Sequence, residues 1–384
     1  MHTTFSYKTF LENLATKSGS KPGLDRIRDL DRELGFPSRA LRCIHVAGTN
    51  GKGSVTTKIA HGLTALGYKT ALYTSPHISS FRERIQINGT CISEERIGEI
   101  LQDVLKIGAD CSFFEIMTMV AFIYFMQEKV DYAVIETGLG GTFDATNIIQ
   151  SELSIITSLS LDHEKILGPS LKEIAHNKAG IIKAKVPVIL ADSAALPPIY
   201  EKAFEMQAPI YFMPKVEDWM DENRQLARKA LSLLCPHIDS FCLDAMPPCR
   251  FEVIPMQGFT LLFDVAHNLD GMKKLFWRLE KVFPHRRVSV IFGMSRDKNI
   301  AEVASFIEER AEAIYLHEGD HPRLAPRSFM AAFFQNPESH FETFFAKARE
   351  RQDLILITGS FFLMKDWKER FGFILPTDPL SLND

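Results

Sequence analysis

Apolar positions along the chain alternate between two spacings. Short apolar runs at 44–47, 69–74, 131–136, 153–157 and 186–190 suit buried strands. Between them, apolar residues return every three or four positions. Val55, Ile59, Gly62, Leu63 and Leu66 mark one amphipathic helix, 113–126 a buried one, a segment beginning near Ser170 another, and 222–234 a fourth with Leu226, Ala230, Leu231 and Leu234 on one face. Two leading helices are expected before the first strand, through Phe5, Phe10 and Leu14 and then Leu24, Ile27, Leu30 and Leu34, broken by SGSKPG at 18–23. RERIQING at 82–89 predicts a short hairpin, and Ser93 a helix N-cap. The stretch 235–252 is irregular and holds three prolines, which marks a linker. After it the strand and helix alternation restarts at 259–268 and runs to a last strand at 354–360, predicting a second, smaller parallel sheet with helices on both faces. The residues after Phe371 read as a frayed tail. The fold class is therefore α/β: a large domain with a mostly parallel sheet over 1–246, and a smaller α/β domain over 247–384.

Four of these strands end in residues with chemistry. The first runs into HVAGTNGKGS at 45–54, where Gly48, Gly51 and Gly53 let the backbone turn tightly and approach phosphate oxygens, Lys52 adds a cation and Ser54 a hydroxyl. The spacing departs from the commonest phosphate loop, since only two residues separate Gly48 from Gly51 and Gly53 intervenes before Ser54. A plain strand-to-helix turn accounts for the same glycines. The strand at 131–136 closes on Glu136 before a glycine-rich TGLGG, a position from which an acid can hold Mg²⁺, or simply be solvated. Asp162-His163 and Ser75-Pro76-His77 follow two further strands onto the same edge. Lys178, at the end of its helix, has no carboxylate at helical spacing except Glu173, five residues back, so it is expected to point inward.

Composition narrows the partners. A length of 384 residues with 46% hydrophobic residues supports two domains with real cores, and a net charge of −4 gives no global attraction to nucleic acid or anionic membrane. Six cysteines without a C-x-x-C pair, no basic and apolar leader, and an apolar run at 120–126 too short to span a bilayer predict a reduced, cytoplasmic protein acting on small anionic molecules.

Taken together, HVAGTNGKGS, TSPHISSFRERIQING, FFEIMT, ETGLGGTFDATN, SLDHEKILGPSLKEIAHNKAGIIK, CRFE, DVAHN and TGS occur in the order found in folylpolyglutamate synthases and dihydrofolate synthases, members of the Mur ligase group. The chain resembles these enzymes from about residue 7 to residue 366. The resemblance implies an ATP-dependent amide ligase, with a large P-loop-type ATPase domain and a smaller Rossmann-like α/β C-terminal domain, that phosphorylates a folate or pteroate carboxylate and couples it to L-glutamate. By motif position it implies ATP contacts from Asn50, Gly51, Lys52, Gly53 and Ser54, and from Asn223, Arg250 and Asp264. It implies Mg²⁺ ligands at Ser75, Glu136 and His163, with two ions in all, and a carbamylated lysine at Lys178. His267 and Ser360 would face the acyl phosphate and the incoming glutamate. The pterin end would meet Ser112, Phe113, Phe114 and Glu115 together with Phe143, Asp144 and Ala145. The expected enzyme is monomeric and bifunctional, with no nucleic acid or membrane partner.

The chain departs from the family pattern at Thr142, where many relatives carry Arg, at Cys249, where Gly is common, and at Leu269, where Pro is usual. Two other readings compete. A different Mur-type ligase acting on a UDP-linked substrate would be expected to bring its own N-terminal binding domain of ~100 residues, whereas about 44 residues precede the phosphate-loop strand. A nucleotide-binding module without chemistry would have no use for Ser75, Glu136, His163 and Lys178 together.

Overall fold

The computed structural model describes residues 23–319 and 321–373. The first of the two expected leading helices and most of the expected tail lie outside these residues; the second leading helix is present at Asp25–Glu33. The chain divides into two compact units between Met246 and Pro247.

The first unit is built on an eight-stranded sheet. Its strands are β1 (Cys43–Ala47), β2 (Thr70–Tyr73), β3 (Ile85–Ile87), β4 (Thr90–Cys91), β5 (Tyr132–Glu136), β6 (Ser151–Ile156), β7 (Val188–Leu190) and β8 (Ile210–Phe212), in the order β4-β3-β2-β5-β1-β6-β7-β8. The strands from β2 through β8 in this order are parallel, and β3 and β4 add the expected hairpin, antiparallel, at one edge. β1 lies between β5 and β6 and is buried along its whole length, which is why its sequence is a continuous apolar run rather than an alternation. Ile44 and Val46 pack into the layer that holds the helices Lys52–Ala65 and Trp219–Leu234, while Cys43 and Ala47 face the layers of Phe113–Gln127 and Leu171–Ala179. β1 and β2 diverge around β5, and β6 continues on the other side, so the C-terminal end of β1 is a point where strand order switches and a crevice opens. β8 was not anticipated, because its three residues sit between Pro209 and Pro214 and leave Ile210 and Phe212 exposed.

In the second unit β9 (Glu252–Met256), β10 (Phe259–Asp264), β11 (Val288–Phe292), β12 (Ala313–Leu316) and β13 (Leu354–Thr358) are ordered β12-β11-β13-β10-β9. The expectation of a purely parallel sheet is corrected here. β9 runs antiparallel to β10 through a turn at Gly258, whose φ is 85°. Pro255 hid this strand from the sequence reading, yet a proline is tolerated on an edge strand, where one side of the backbone needs no partner. The remaining strands are parallel, with Leu269–Val282 and Ile300–Glu308 among the connecting helices.

Candidate active site

The glycine turn leaves β1 and starts the helix Lys52–Ala65, for which Gly51 is the N-cap in the left-handed region at φ 87°. The neighbouring strand end holds it in place. Thr49 donates its amide to the Ser158 carbonyl at 2.6 Å, Asn50 donates its amide to Ser158 Oγ at 3.0 Å, and Thr157 Oγ1 donates to the Asn50 carbonyl at 2.7 Å. The glycines are needed for close approach. A Cβ on Gly48 would fall 1.9 Å from Thr157 Oγ1, and one on Gly51 would fall 2.6 Å from Asn223 Oδ1. Asn223, in the first turn of the helix Trp219–Leu234, is thus set against the turn, and its buried Nδ2 has no protein partner. Lys52 folds back over the turn, donating to the carbonyls of Gly48 at 3.2 Å and Thr49 at 3.3 Å, and Ser54 is buried beneath it. Sequence reading missed Thr157 and Ser158, which no spacing along the chain connects to residue 50.

Glu136, at the end of β5, is buried and accepts the Ser75 amide at 3.1 Å; its Oε2 lies 3.4 Å from where a Cβ on Gly53 would stand. The structure therefore brings Ser75, Glu136 and the glycine turn together. Ser75 precedes Pro76 through a cis peptide bond. Lys178 does point inward: it is 3% exposed and its Nζ donates to the Gly48 carbonyl at 2.7 Å. Burial, and next the positive charge of Lys52, pull its pKa down to about 7, with Asp162 partly opposing. His163 caps the short helix Glu164–Leu167 with a left-handed backbone at φ 52°, and Asp162 accepts the His163 amide at 2.8 Å. Among the described residues no group of three His, Cys, Asp or Glu side chains forms a ready metal cage. One buried carboxylate and a serine beside a phosphate cradle suit a hard cation such as Mg²⁺, which takes few protein ligands and completes its shell with water and phosphate.

The helix that carries Lys178 ends against the glycine-rich loop after β5. Asn177 Oδ1 accepts the Gly141 amide at 3.0 Å, while the Asn177 carbonyl accepts both the amide and the hydroxyl of Thr142 at 2.9 and 2.8 Å. Thr142 thus closes the end of that helix. Further along, Phe143 is 57% exposed, whereas Asp144 and Ala145 are buried. Asp144 accepts the Leu139 amide at 2.7 Å and the Thr146 amide at 3.0 Å, and its burial raises its pKa. Phe114 packs onto the same loop, its ring 2.4 Å from where a Cβ on Gly138 would be. Ser112 and Glu115 close the start of the helix Phe113–Gln127 as a reciprocal capping box, and Glu115 Oε2 also accepts from Arg26 at 3.3 Å while its buried Oε1 has no protein partner. Phe113 lies beneath Arg84, 5.5 Å from the guanidinium to the ring centre.

In the second unit three of the predicted residues meet around Phe361. Arg250 stands 4.7 Å over its ring, His267 lies 5.9 Å from it, and Ser360 precedes it, accepting the Phe362 amide at 3.3 Å. Asp264, at the end of β10, accepts the amides of Phe251 and Ala266, each at 2.8 Å, and burial raises its pKa. His267 Nδ1 is 2.9 Å from the Val265 carbonyl, which makes that nitrogen the protonated one in the neutral ring.

Residues 46–219 match the Mur ligase middle domain, and residues 249–361 match the Mur ligase, glutamate ligase domain. The dihydrofolate synthase/folylpolyglutamate synthase of Bacillus subtilis (strain 168) is 34% identical, over 92% of this chain and 96% of the relative. The structure of E. coli FolC in complex with DHPP and ADP aligns with a TM-score of 0.85 at 25% identity, covering 95% of this chain and 96% of that one. A bifunctional folylpolyglutamate synthase/dihydrofolate synthase with Mn, AMPPNP and L-glutamate bound aligns with a TM-score of 0.82 at 27% identity, covering 94% of this chain and 96% of that one. No helix among the described residues is long and apolar enough to cross a membrane.

Proposed function

The chain belongs to the dihydrofolate synthase/folylpolyglutamate synthase family of Mur ligases, and we propose that it is a bifunctional member, adding L-glutamate to dihydropteroate and to the γ-carboxylate of reduced folates at the expense of ATP. The division of labour follows the two units: residues 1–246 for ATP and the folate, residues 247–384 for glutamate ligation. It is a monomeric, cytoplasmic enzyme in this reading, working on small molecules without nucleic acid or membrane.

The observation that carries the proposal is Lys178, a buried amine on the carbonyl of the phosphate turn with its pKa pulled to about 7. The lowered pKa favours the neutral amine near neutral pH, and only a neutral amine attacks CO₂. The ammonium first gives one proton to solvent, the neutral amine forms the N–C bond with CO₂ and releases a second proton, and a buried cation has become a carbamate anion. Ser75, Glu136 and His163 would hold one Mg²⁺, and the carbamate with them a second; bound there, Mg²⁺ supplies neutralisation of the phosphate charge. The amides from Asn50 to Ser54 cradle the phosphates, and the ammonium of Lys52 draws charge from the group in transfer. Asn223, whose buried Nδ2 has no protein partner, would donate to the nucleotide, with Arg250 and Asp264 as further contacts. The carboxylate of the pterin substrate attacks the γ-phosphorus, ADP leaves, and the acyl phosphate is then opened by the amine of L-glutamate with loss of phosphate. His267 and Ser360 face that second step. Phe113, Phe114 and Phe143 give aromatic surface to the pterin and aminobenzoyl rings, with Ser112, Glu115, Asp144 and Ala145 shaping the walls.

The test is ATP-dependent incorporation of labelled glutamate with Mg²⁺ and bicarbonate, offering dihydropteroate and tetrahydrofolate in separate reactions. Product is expected with both. Product with one alone would reduce the enzyme to a single activity, and product with neither would overturn the assignment. A Lys178→Ala variant that still releases phosphate at the full rate would refute the role of the carbamate.

A further inference from the structure

The imidazole of His45 is a polar side chain of β1 that the mechanism leaves unused. It is fully buried at the centre of the sheet, three residues before Gly48, and its Nε2 lies 2.8 Å from Thr146 Oγ1. The Thr146 hydroxyl in turn donates to Asp144 Oδ1 at 2.5 Å, an oxygen that also accepts the Thr146 amide at 3.0 Å. That direction fixes the rest of the chain. With its proton committed to Asp144, the hydroxyl accepts from His45, so Nε2 carries the imidazole proton. Nδ1 is a bare acceptor, buried and without a protein partner. The other oxygen of Asp144 accepts the Leu139 amide at 2.7 Å. An unbroken line of hydrogen bonds therefore runs from the central strand to the start of the glycine-rich loop.

We infer that His45 and Thr146 are positioning residues for the folate-side loop 138–145, transmitting the location of the phosphate strand to Asp144 and hence to Phe143. Three arrangements support this. His45, Thr146 and Asp144 are each at most 5% exposed, while Phe143, next to Asp144, is 57% exposed, so a rigid buried base presents one side chain outward. The following residue is pinned too: Asn147 Nδ2 donates to the carbonyls of Thr142 and Gly180, each at 3.1 Å, and Lys183 donates to Asn147 Oδ1 at 2.7 Å. Finally, an apolar residue would suit the middle of a buried strand better than an imidazole with an unpaired nitrogen, which carries a desolvation cost. His45 is what gives Thr146 a fixed donor, and without it the hydroxyl is free to turn away from Asp144. The inference rests on the reading of Phe143 to Ala145 as substrate contacts.

The experiment compares KM for dihydropteroate, KM for ATP and kcat in Thr146→Val, Thr146→Ser, His45→Leu and His45→Gln. Thr146→Val keeps the shape and removes both bonds, whereas Thr146→Ser keeps the hydroxyl; His45→Gln keeps an N–H near the place of Nε2, and His45→Leu does not. Thr146→Val and His45→Leu are expected to raise KM for dihydropteroate about tenfold, the effect of unpairing one buried group, with KM for ATP changed less than about twofold. The Ser and Gln variants are expected to restore most of the loss. Equal rises in both KM values, or an unchanged KM for dihydropteroate in a folded Thr146→Val, would overturn the relay. If Thr146→Val does not fold, the His45 pair decides on the same criteria. Phe143→Ala separates the two levels of the argument. If it leaves KM for dihydropteroate unchanged, the placement of the substrate at this loop is wrong; if it raises that KM while Thr146→Val does not, the placement stands and the relay falls.

Discussion

The Nζ of Lys178 donates to the carbonyl oxygen of Gly48 at 2.7 Å, joining the end of one helix to the first residue of the phosphate turn. Burial lowers the lysine's pKa to about 7, far below its value in an unfolded chain. Between pH 7 and about 10 the unfolded chain therefore binds the extra proton, and stability rises with pH. From pH 7 to 9 this one group contributes a gain of roughly 2 kcal/mol. Denaturation of the wild type and of Lys178→Met at both pH values, in CO₂-free buffer, isolates it, because Lys58 and Lys183, also lowered to about 8, remain in both proteins. An identical pH slope in the two proteins would rule the argument out.

Glu136 is expected to matter for charge rather than for folding. In Glu136→Gln the amide oxygen can still accept from Ser75, so the melting temperature should shift by less than about 3 °C, under about 1 kcal/mol. Its ligase kcat should fall at least about 100-fold, and raising the Mg²⁺ concentration should recover part of the loss. Normal turnover at ordinary Mg²⁺ would remove Glu136 from the site.

At Gly51 the backbone φ of 87° and the 2.6 Å approach of Asn223 Oδ1 both oppose a side chain. Gly51→Ala is expected to distort the turn at a cost of about 1–2 kcal/mol and to raise KM for ATP about tenfold. Fluorescent ATP-analogue binding reads this directly. Unchanged affinity would mean that the turn tolerates movement of Asn223.

In the second unit Asp353 is fully buried and accepts from Ser289 Oγ at 2.7 Å and Arg351 Nε at 3.0 Å, with Arg287 3.3 Å away. Asp353→Ala leaves the Ser289 hydroxyl buried and without that partner, and is expected to destabilise this unit by about 2–3 kcal/mol. Urea denaturation followed by calorimetry would show the change. A loss under about 0.5 kcal/mol would mean that the arginines and Ser289 find other partners.

What the sequence disclosed was whatever is local. Gly48 and Gly51 are visible as a turn because glycine is required where a side chain would collide, and the acid at the end of β5 is visible because a buried strand has a countable length. The anchors of the turn were invisible, since Thr157 and Ser158 lie more than 100 residues from Asn50 and hydroxyls carry no periodic signal. Asn177 was read past for the lysine beside it, although its carbonyl and side chain both fasten the glycine-rich loop. Three departures from the family pattern gain physical content. Cys249 holds a left-handed backbone at φ 56°, a conformation that glycine adopts freely, which accounts for glycine at that place in relatives. Thr142 uses the Asn177 carbonyl twice, a task its amide and short hydroxyl both suit. Leu269 is the first residue of a helix capped by Asn268, a position that proline also fits.

The phosphate turn is bolted to the end of β6 by hydrogen bonds to Thr157 and Ser158. A mould of that kind fits its occupant but cannot register it, because nothing in it has another place to go. Lys52 is different: its ammonium now rests on the carbonyls of Gly48 and Thr49, partners that a phosphate readily replaces. Of the two, the side chain alone is held by contacts that an anion can exchange without moving a strand.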